Sequence, residues 1–252
     1  MTKKEESFKG LYEADIAILK DYGGIKQKLT LNRSLRRKGF ELDEKRPERG
    51  TCHLTKLDES LSRTRSTLFE LAYCNEFELF VTLTLNPKKY DRNDLKKFKA
   101  DLSQWLSNYN KKYKIGLKYL LIPEMHKDGN WHMHGFIMGL PLEHLTENEN
   151  GYLDWLAYKE KFGFISIDPI RNREAAAKYM TKYITKDLSK SVTDLNANMY
   201  YCSQGLERAK EMKRGTLSAN NIPWDYTNDY CKVKWFDNDI DLVDLFEVAF
   251  NN

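Results

Sequence analysis

The pattern of hydrophobic and polar residues along the chain predicts a mixed α and β fold. In the segment FVTLTLNP, residues 80–87, threonines alternate with valine and leucines, and this period of two is typical of a strand with one buried face. Asn86-Pro87 then ends the strand. Further strands are predicted at 117–124, 131–139, 164–170 and 232–236.

Longer segments show the periodicity of amphipathic helices. Leucines recur at helical spacing in residues 56–75 and predict a helix there. A second helix is expected to begin near Asp91 or Asn93, either of which can cap it, and to run to Asn108. Other helices are predicted at 151–161, 172–188, 205–213 and 239–249, the last of them acidic and amphipathic, and a short helix followed by an extension or loop is predicted within 1–50.

The order of these elements indicates the fold class. Strands joined by a hairpin alternate with helices, which favours an α+β fold with an antiparallel sheet of about five strands and helices packed on one face. We expect an N-terminal extension over 1–55, one domain over 56–215, and a C-terminal extension over 216–252 that contains the acidic helix.

Composition excludes several protein classes. Hydrophobic residues make up 41% of the 252 residues and charged residues 31%, and no apolar run approaches the ~20 residues of a membrane helix. The N-terminal lysines precede no apolar segment, so we expect no secretory signal, no membrane partner and a cytoplasmic protein. None of the four cysteines has C-x-x-C spacing, which argues against structural zinc and disulfides. No P-loop motif occurs, so no nucleotide cofactor is expected.

The basic residues are unevenly distributed. The formal net charge is only +4, and residues 171–190 hold six lysines and arginines against two acidic residues. Residues 237–247 hold five acidic residues and no lysine or arginine. The local excess of positive charge permits a nucleic-acid partner for the segment around 171–190.

A histidine pair in the strand over 131–139 suggests a metal site. His132 and His134 point to the same face because they are two residues apart, and imidazoles are good ligands for first-row metals. Glu124, on the preceding strand, would complete a three-ligand site with open positions. A pair of surface histidines is the alternative, since H-x-H alone is weak evidence.

The register of the hairpin decides whether Glu124 reaches the histidines. A two-residue turn at Asp128-Gly129 would pair Glu124 with Met133 and turn it to the wrong face. A five-residue loop over 126–130 would pair it with His132 on the same face. We predict the five-residue register. His126 is then a second choice of ligand, or a solvated loop residue.

Two tyrosines and two lysines follow near the end of the predicted helix over 172–188. On one continuous helix, Tyr179, Lys182, Tyr183 and Lys186 fall within an arc of about 100°. A phenol, with a pKa near ~10, is a weak nucleophile at neutral pH, and a nearby lysine lowers that pKa or stabilises charge on a phosphate. The pattern suits phosphoryl transfer; amphipathic packing on a basic helix face is the alternative.

The three segments, in this order, resemble the HUH endonucleases. Within that superfamily the likeness is to the two-tyrosine rolling-circle replication initiators of phages, plasmids and satellite elements of Firmicutes, and it covers roughly residues 57–215. FVTLTLNP resembles the first family motif, WHMHGF (131–136) the metal motif, and KYMTKYITKD (178–187) the tyrosine motif. Glu124 matches the position of the third metal ligand.

The resemblance implies a ferredoxin- or RRM-like sheet that carries Mg²⁺ or Mn²⁺ on its face through His132, His134 and Glu124. It implies single-stranded or hairpin origin DNA as substrate, with a host helicase and DNA polymerase as partners in a bacterial cytoplasm. One tyrosine would keep the 5′-phosphate and leave a 3′-OH, and the other would accept the strand later. Lys182 and Lys186 would assist, and the order of Tyr179 and Tyr183 stays open.

Other contacts with DNA are expected from basic and aromatic residues. Phosphate contacts are predicted for Lys88, Lys89, Arg92, Arg173 and Lys178, and base stacking for Trp131. A solvated helix start and a core aromatic are the respective alternatives. Three rival functions remain: a transposase or relaxase with the same chemistry, a DNA-binding relative without activity, and a metallonuclease that uses water.

Overall fold

The computed structural model of the chain describes residues 12–13, 15–33, 35–36, 54–218, 221–238 and 242–247. The chain forms two compact units, one of Cys52–Glu207 and one of Met1–Thr51 with Arg208–Asn252. The α-helices in the described part are α1 (Leu54–Tyr73), α2 (Leu95–Tyr113), α3 (Leu156–Lys161), α4 (Arg173–Thr181) and α5 (Lys186–Asp194).

The strands of the described part fall into two five-stranded sheets and two short ribbons. In chain order they are β1 (Tyr12–Glu13), β2 (Ile16–Tyr22), β3 (Lys26–Asn32), β4 (Leu35–Arg36), β5 (Leu79–Leu85), β6 (Lys118–Met125), β7 (Trp131–Met138), β8 (Thr146–Glu147), β9 (Leu153–Asp154), β10 (Gly163–Pro169), β11 (Tyr201–Cys202), β12 (Lys210–Gly215), β13 (Tyr226–Thr227) and β14 (Cys231–Asp237).

The sheet of the Cys52–Glu207 unit has the strand order β10-β5-β7-β6-β11, and every neighbouring pair is antiparallel. The α+β class with a five-stranded antiparallel sheet is thus confirmed. The alternation read from the sequence of β5 is present, because its leucines and Val81 are buried while Phe80, Thr82 and Thr84 are half-buried. The helix over 56–75 is confirmed as α1, whose leucines at 61, 68 and 71 are buried.

Helical residues cover both faces of this sheet, whereas we expected them on one. Ser103 of α2 lies 3.4 Å, oxygen to oxygen, from the hydroxyl of Tyr119, which is on the face opposite the histidines. Tyr179 of α4 instead contacts Phe80, on the histidine face. The N-cap of α2 is Asp94, whose carboxylate accepts a hydrogen bond from the amide of Lys97, rather than Asp91 or Asn93.

The other unit is built on the sheet β12-β2-β3-β14-β13. Its core contains Ala17, Leu19 and Leu29, packed with Leu242 and Phe246. The prediction of a short helix within 1–50 is wrong for the described residues, which form strands there. The alternating burial along Ile16–Tyr22 is the period of a strand.

The predictions for the C-terminal region also fail where the structure describes it. The segment expected to be helical at 205–213 contains strand β12, because its pairing with β2 outweighs its weak local preference. In place of an acidic helix over 239–249, the described residues hold a 3-10 turn at Val243–Leu245 and a bridge between Leu217 and Phe246. None of the described helices is long and apolar enough to span a membrane.

Gly135 tests the tight packing of the central hairpin. A Cβ at this position would clash with the carbonyl oxygen of Leu120 and lie 2.8 Å from the Cα of Leu121. We expect Gly135→Ala to lower the free energy of unfolding by about 2–4 kcal/mol, measured by urea denaturation. At Gly116 an added Cβ meets no atom within 4 Å, so Gly116→Ala is the control and should change stability by less than about 1 kcal/mol. Equal effects of the two substitutions would contradict this packing.

Candidate metal and tyrosine site

The β6–β7 hairpin has the register that the candidate metal site requires. Glu124 pairs with His132 across the hairpin. The connecting loop has five residues, and within it the His126 amide donates to the Asn130 carbonyl and the Gly129 amide to the His126 carbonyl, both at 2.9 Å. Gly129 has a φ of 79°, a conformation that glycine adopts at little cost. The prediction of the five-residue register is confirmed.

Threonines of β5 fix the orientation of both histidine rings. His132 pairs with Thr84 and His134 with Thr82. The threonine hydroxyls contact the Nδ1 atoms at 2.9 Å for His132 and 3.0 Å for His134. A hydrogen bond to one ring nitrogen orients the other nitrogen toward its ligand, as in most histidine metal sites. The Nε2 atoms are therefore the ones available for other partners.

The residues whose potential ligand atoms converge are Glu124, His126 and His134, all within 4.8 Å of one another. Oε2 of Glu124 lies 2.6 Å from Nε2 of His134 and 3.7 Å from Nε2 of His126. Ligand atoms about 2.1 Å from a cation are about 3 Å apart when adjacent. The observed separations bracket that value, so the cluster has the size of a divalent-metal site.

The buried Nε2 of His134 is the observation that best fits a metal. It has no hydrogen bond within the described residues, although Glu124 is close, because the carboxylate oxygen lies off the direction of a ring N–H. Burial, ahead of the opposing effect of Glu124, lowers the pKa of His134 and keeps the ring neutral with a free lone pair. A nitrogen lone pair and a carboxylate in contact are a donor set for a cation.

His132 takes a different position from the one predicted for it. Its Nε2 lies 3.0 Å from Nη2 of Arg92, and since a guanidinium can only donate, this nitrogen accepts a hydrogen bond. Burial, followed by the nearby His126 and Arg92, lowers the pKa of His132 to about 4. The ring stacks on His126 with centroids 3.9 Å apart. The cluster therefore contains His126 in place of the expected His132, because Arg92 occupies the metal-binding nitrogen of His132.

The predicted helix over 172–188 is interrupted between the two tyrosines. Helix α4 ends at Thr181 and α5 begins at Lys186. The hydroxyl of Thr185 caps α5 by accepting a hydrogen bond from the amide of Leu188 at 3.0 Å. Arg65 of α1 donates to the carbonyl of Ile184 from Nε at 3.0 Å and from Nη2 at 2.6 Å. The expected arc of tyrosines and lysines on one helix is therefore wrong.

The two phenols nevertheless meet. The hydroxyl oxygens of Tyr179 and Tyr183 are 3.1 Å apart. The Tyr183 ring stacks on His134, with centroids 4.8 Å apart, and the Tyr179 ring meets Phe80 edge to face at 5.6 Å. Burial and the hydrogen bond with Tyr179 raise the pKa of Tyr183 above its usual value. The interruption thus brings the second phenol against a histidine of the metal cluster.

The basic residues predicted at the site have different surroundings. Nζ of Lys182 lies 5.5 Å from the centre of the Tyr179 ring, a cation–π distance, while Lys186 is the first residue of α5. Lys178 pairs with Glu174 and Arg173 with Glu76, at 2.7 and 3.2 Å. Lys182 is therefore the predicted lysine that the described contacts place beside a phenol.

Other predicted DNA contacts lie around β5 and β7. Lys88 is exposed, and Nζ of Lys89 donates to the carbonyl of Glu160 at 3.0 Å. Trp131 is only 2% exposed and faces away from the histidines, so the predicted stacking of a base on it is wrong. The period of two makes residue 131 point opposite to residue 132.

The metal cluster can be tested by titration with Mn²⁺. We expect Glu124→Gln and His134→Ala each to weaken Mn²⁺ affinity at least about tenfold, measured by calorimetry on protein without DNA. His126→Ala should weaken it more than His132→Ala, because Arg92 occupies Nε2 of His132. A larger loss from His132→Ala would show that metal binding displaces Arg92 and would overturn the described cluster.

Arg65 offers a test of the link between α4 and α5. Arg65→Ala removes a two-pronged, charge-assisted donor from the Ile184 carbonyl, and we expect the free energy of unfolding to fall by about 1–2 kcal/mol in urea denaturation. Arg63 is an exposed neighbour on the same helix, and Arg63→Ala should have an effect below about 0.5 kcal/mol. If both variants behave like the parent chain, the Arg65 contact does not hold this link.

Comparison with known proteins agrees with this location of the site. Residues 78–188 match the model of a family described as replication-associated protein, of the ORF2 type. No curated protein and no solved structure matches the chain at a significant level. The matched segment includes Glu124, the histidines and both tyrosines. Its similarity to replication-associated proteins supports a role for the chain as a replication initiator.

Proposed function

We propose that the chain is a rolling-circle replication initiator that nicks and rejoins single-stranded or hairpin origin DNA through a phosphotyrosine intermediate, with Mg²⁺ or Mn²⁺ as cofactor. One observation carries the proposal: two phenol oxygens 3.1 Å apart, one of them on a ring stacked against His134 of the Glu124–His126–His134 cluster. The similarity of residues 78–188 to replication-associated proteins supports the same conclusion.

The proposed reaction is a transesterification. A tyrosine oxygen forms a bond to the scissile phosphorus while the bond from phosphorus to the 3′-oxygen breaks. The phenol loses a proton and the departing oxygen gains one, which leaves a 3′-OH and a 5′-phosphotyrosine. A bound divalent cation would polarise the phosphate and stabilise its developing charge. Because one ester is exchanged for another, the reverse step can rejoin the strand.

The surroundings of the two tyrosines suggest different roles. Tyr183 stacks on His134 and is half-buried, whereas Tyr179 is 45% exposed and lies against Phe80. We assign the first cleavage to Tyr183, because its ring contacts the cluster that would hold the cation. Tyr179, at hydrogen-bond distance and more open to solvent, would accept the strand in the second step. Lys182 stabilises charge near Tyr179, and a role for Lys186 is retained from the resemblance.

The remaining machinery is proposed on the same basis. Phosphate contacts from Lys88, Lys89, Arg92, Arg173 and Lys178 would position the DNA strand. Arg92 would then exchange its contact with His132 for a phosphate oxygen. A host helicase would unwind the duplex and a host DNA polymerase would extend the 3′-OH, in the cytoplasm of a bacterial cell.

A covalent-adduct assay tests the proposed function. The protein would be incubated with Mn²⁺ and single-stranded DNA that covers the origin of its own element, and the product resolved on a denaturing gel. We expect a protein–DNA band that requires metal, falls at least about tenfold in Tyr183→Phe and at least about a thousandfold in Tyr179→Phe/Tyr183→Phe. The exposed Tyr152 provides a control, since Tyr152→Phe should leave the band unchanged.

The other outcomes separate the rival functions. Cleavage without an adduct would identify a metallonuclease that uses water. Binding without cleavage, on an origin known to support replication of the element, would identify a DNA-binding relative that lacks the activity. Adduct formation only with the ends of a mobile element or with a transfer origin would favour a transposase or relaxase.

A further inference from the structure

Phe164 is a large aromatic residue left exposed on the histidine face of the sheet. It lies on the edge strand β10 and is 63% exposed. No ring contact involves it within the part of the chain that the structure describes. A single exposed apolar residue is common on protein surfaces, so the exposure alone carries no function. Its position relative to the site does.

Phe164 belongs to the same cross-strand row as the metal-site residues. It pairs with Thr84, Thr84 pairs with His132, and His132 pairs with Glu124. Residues directly opposite each other in antiparallel strands lie on the same face, so these four side chains form one line across four strands. Two strand spacings, about 10 Å, separate Phe164 from His132. A nucleotide next to a phosphate held at the site is within reach of the Phe164 ring.

Positive charge surrounds this end of β10. The turn after β5 is fixed to the segment before β10, because the Asn86 amide donates to the Phe162 carbonyl at 2.7 Å and Lys89 Nζ to the Glu160 carbonyl at 3.0 Å. The exposed Lys88 is part of the same turn, and Lys161 ends α3 two residues before β10. An anionic backbone is therefore favoured beside the exposed ring.

The other end of β10 carries the opposite charge. Asp168 is exposed on the same face, in the row that contains Phe80 and Phe136. Its carboxylate repels phosphate, so a DNA strand is favoured along the row of Phe164 and disfavoured along the row of Asp168. Sheet-borne aromatic rings beside basic residues are a general means of binding single-stranded nucleic acid, because every base offers a face on which a ring can stack.

We propose that Phe164 is a base-stacking position, on which a base flanking the scissile phosphate lies while the phosphate is held at the metal and tyrosine site. The inference rests on the proposed function for the identity of the scissile phosphate, but its stacking step needs only binding of single-stranded DNA. It assigns to Phe164 the role that the sequence suggested for the buried Trp131. The ligand is a nucleobase, and a protein partner is the alternative that the test excludes.

The test measures binding separately from cleavage. Fluorescence anisotropy of a labelled 30-nucleotide single strand of mixed sequence, in EDTA so that no cleavage occurs, would give the dissociation constant. We expect Phe164→Ala and Phe164→Leu to weaken binding about five- to hundredfold, and Phe164→Trp to retain it. Leu142 is 76% exposed and next to a segment that contacts α2, on the other face, so Leu142→Ala is the matched control and should bind like the parent.

A second arm locates the stacked base. Origin strands that each lack one base would be bound to the parent chain and to Phe164→Ala. One position near the nick should cost the parent several-fold in affinity and cost Phe164→Ala little, since the two changes remove the same contact. Equal binding by Phe164→Ala and the parent, or retention of full affinity by Phe164→Leu, would overturn the inference. If single strands bind as expected but no adduct forms, the proposed function fails and the stacking position stands.

Discussion

The register of the β6–β7 hairpin is the constraint on which the candidate site depends. A shift of one residue would turn every side chain of β6 to the other face and remove Glu124 from the histidines. The five-residue loop sets this register, and the pairing of β5 with β7 adds the threonines that orient the rings. Gly135 permits the close approach of β6 and β7 at the level of Leu120. Metal ligands, their supports and the packing beneath them therefore follow from one set of strand pairings.

The tyrosines depend on a second constraint, the interruption between α4 and α5. Had the helix continued, Tyr183 would lie one turn beyond Tyr179 and its direction would be set by helical geometry alone. The cap at Thr185 and the Arg65 contact with Ile184 end the helix early. Tyr183 then stacks on His134 while keeping its hydroxyl beside that of Tyr179. The two constraints meet at His134, which contacts both Glu124 and Tyr183.

Much of the central sheet could be predicted from the sequence because its signals are local. The alternation in β5, the leucine spacing in α1 and the five-residue loop each depend on neighbouring residues. The C-terminal strand β12 could not be predicted in this way, since its pairing with β2 joins residues nearly two hundred positions apart. The break at 182–185 was missed because Arg65, which helps to hold it, is far away in sequence.

The candidate site could be predicted in kind but not in detail. Spacing alone placed His132, His134 and Glu124 on one face. It could not show that Arg92 would take up Nε2 of His132, or that the loop would bring His126 to the carboxylate. The aromatic residue beside the site was also misassigned, since period two along β7 buries Trp131 while Phe164 is exposed on another strand.

Mass spectrometry of the reacted protein tests the central claim most directly. After incubation with metal and origin DNA, the protein would be digested with nuclease and trypsin and the peptides that contain Tyr179 and Tyr183 sequenced. The account predicts a nucleotide joined through its 5′-phosphate to a tyrosine oxygen, mainly at Tyr183 after a single cleavage. Cleaved DNA with both tyrosines unmodified would contradict it.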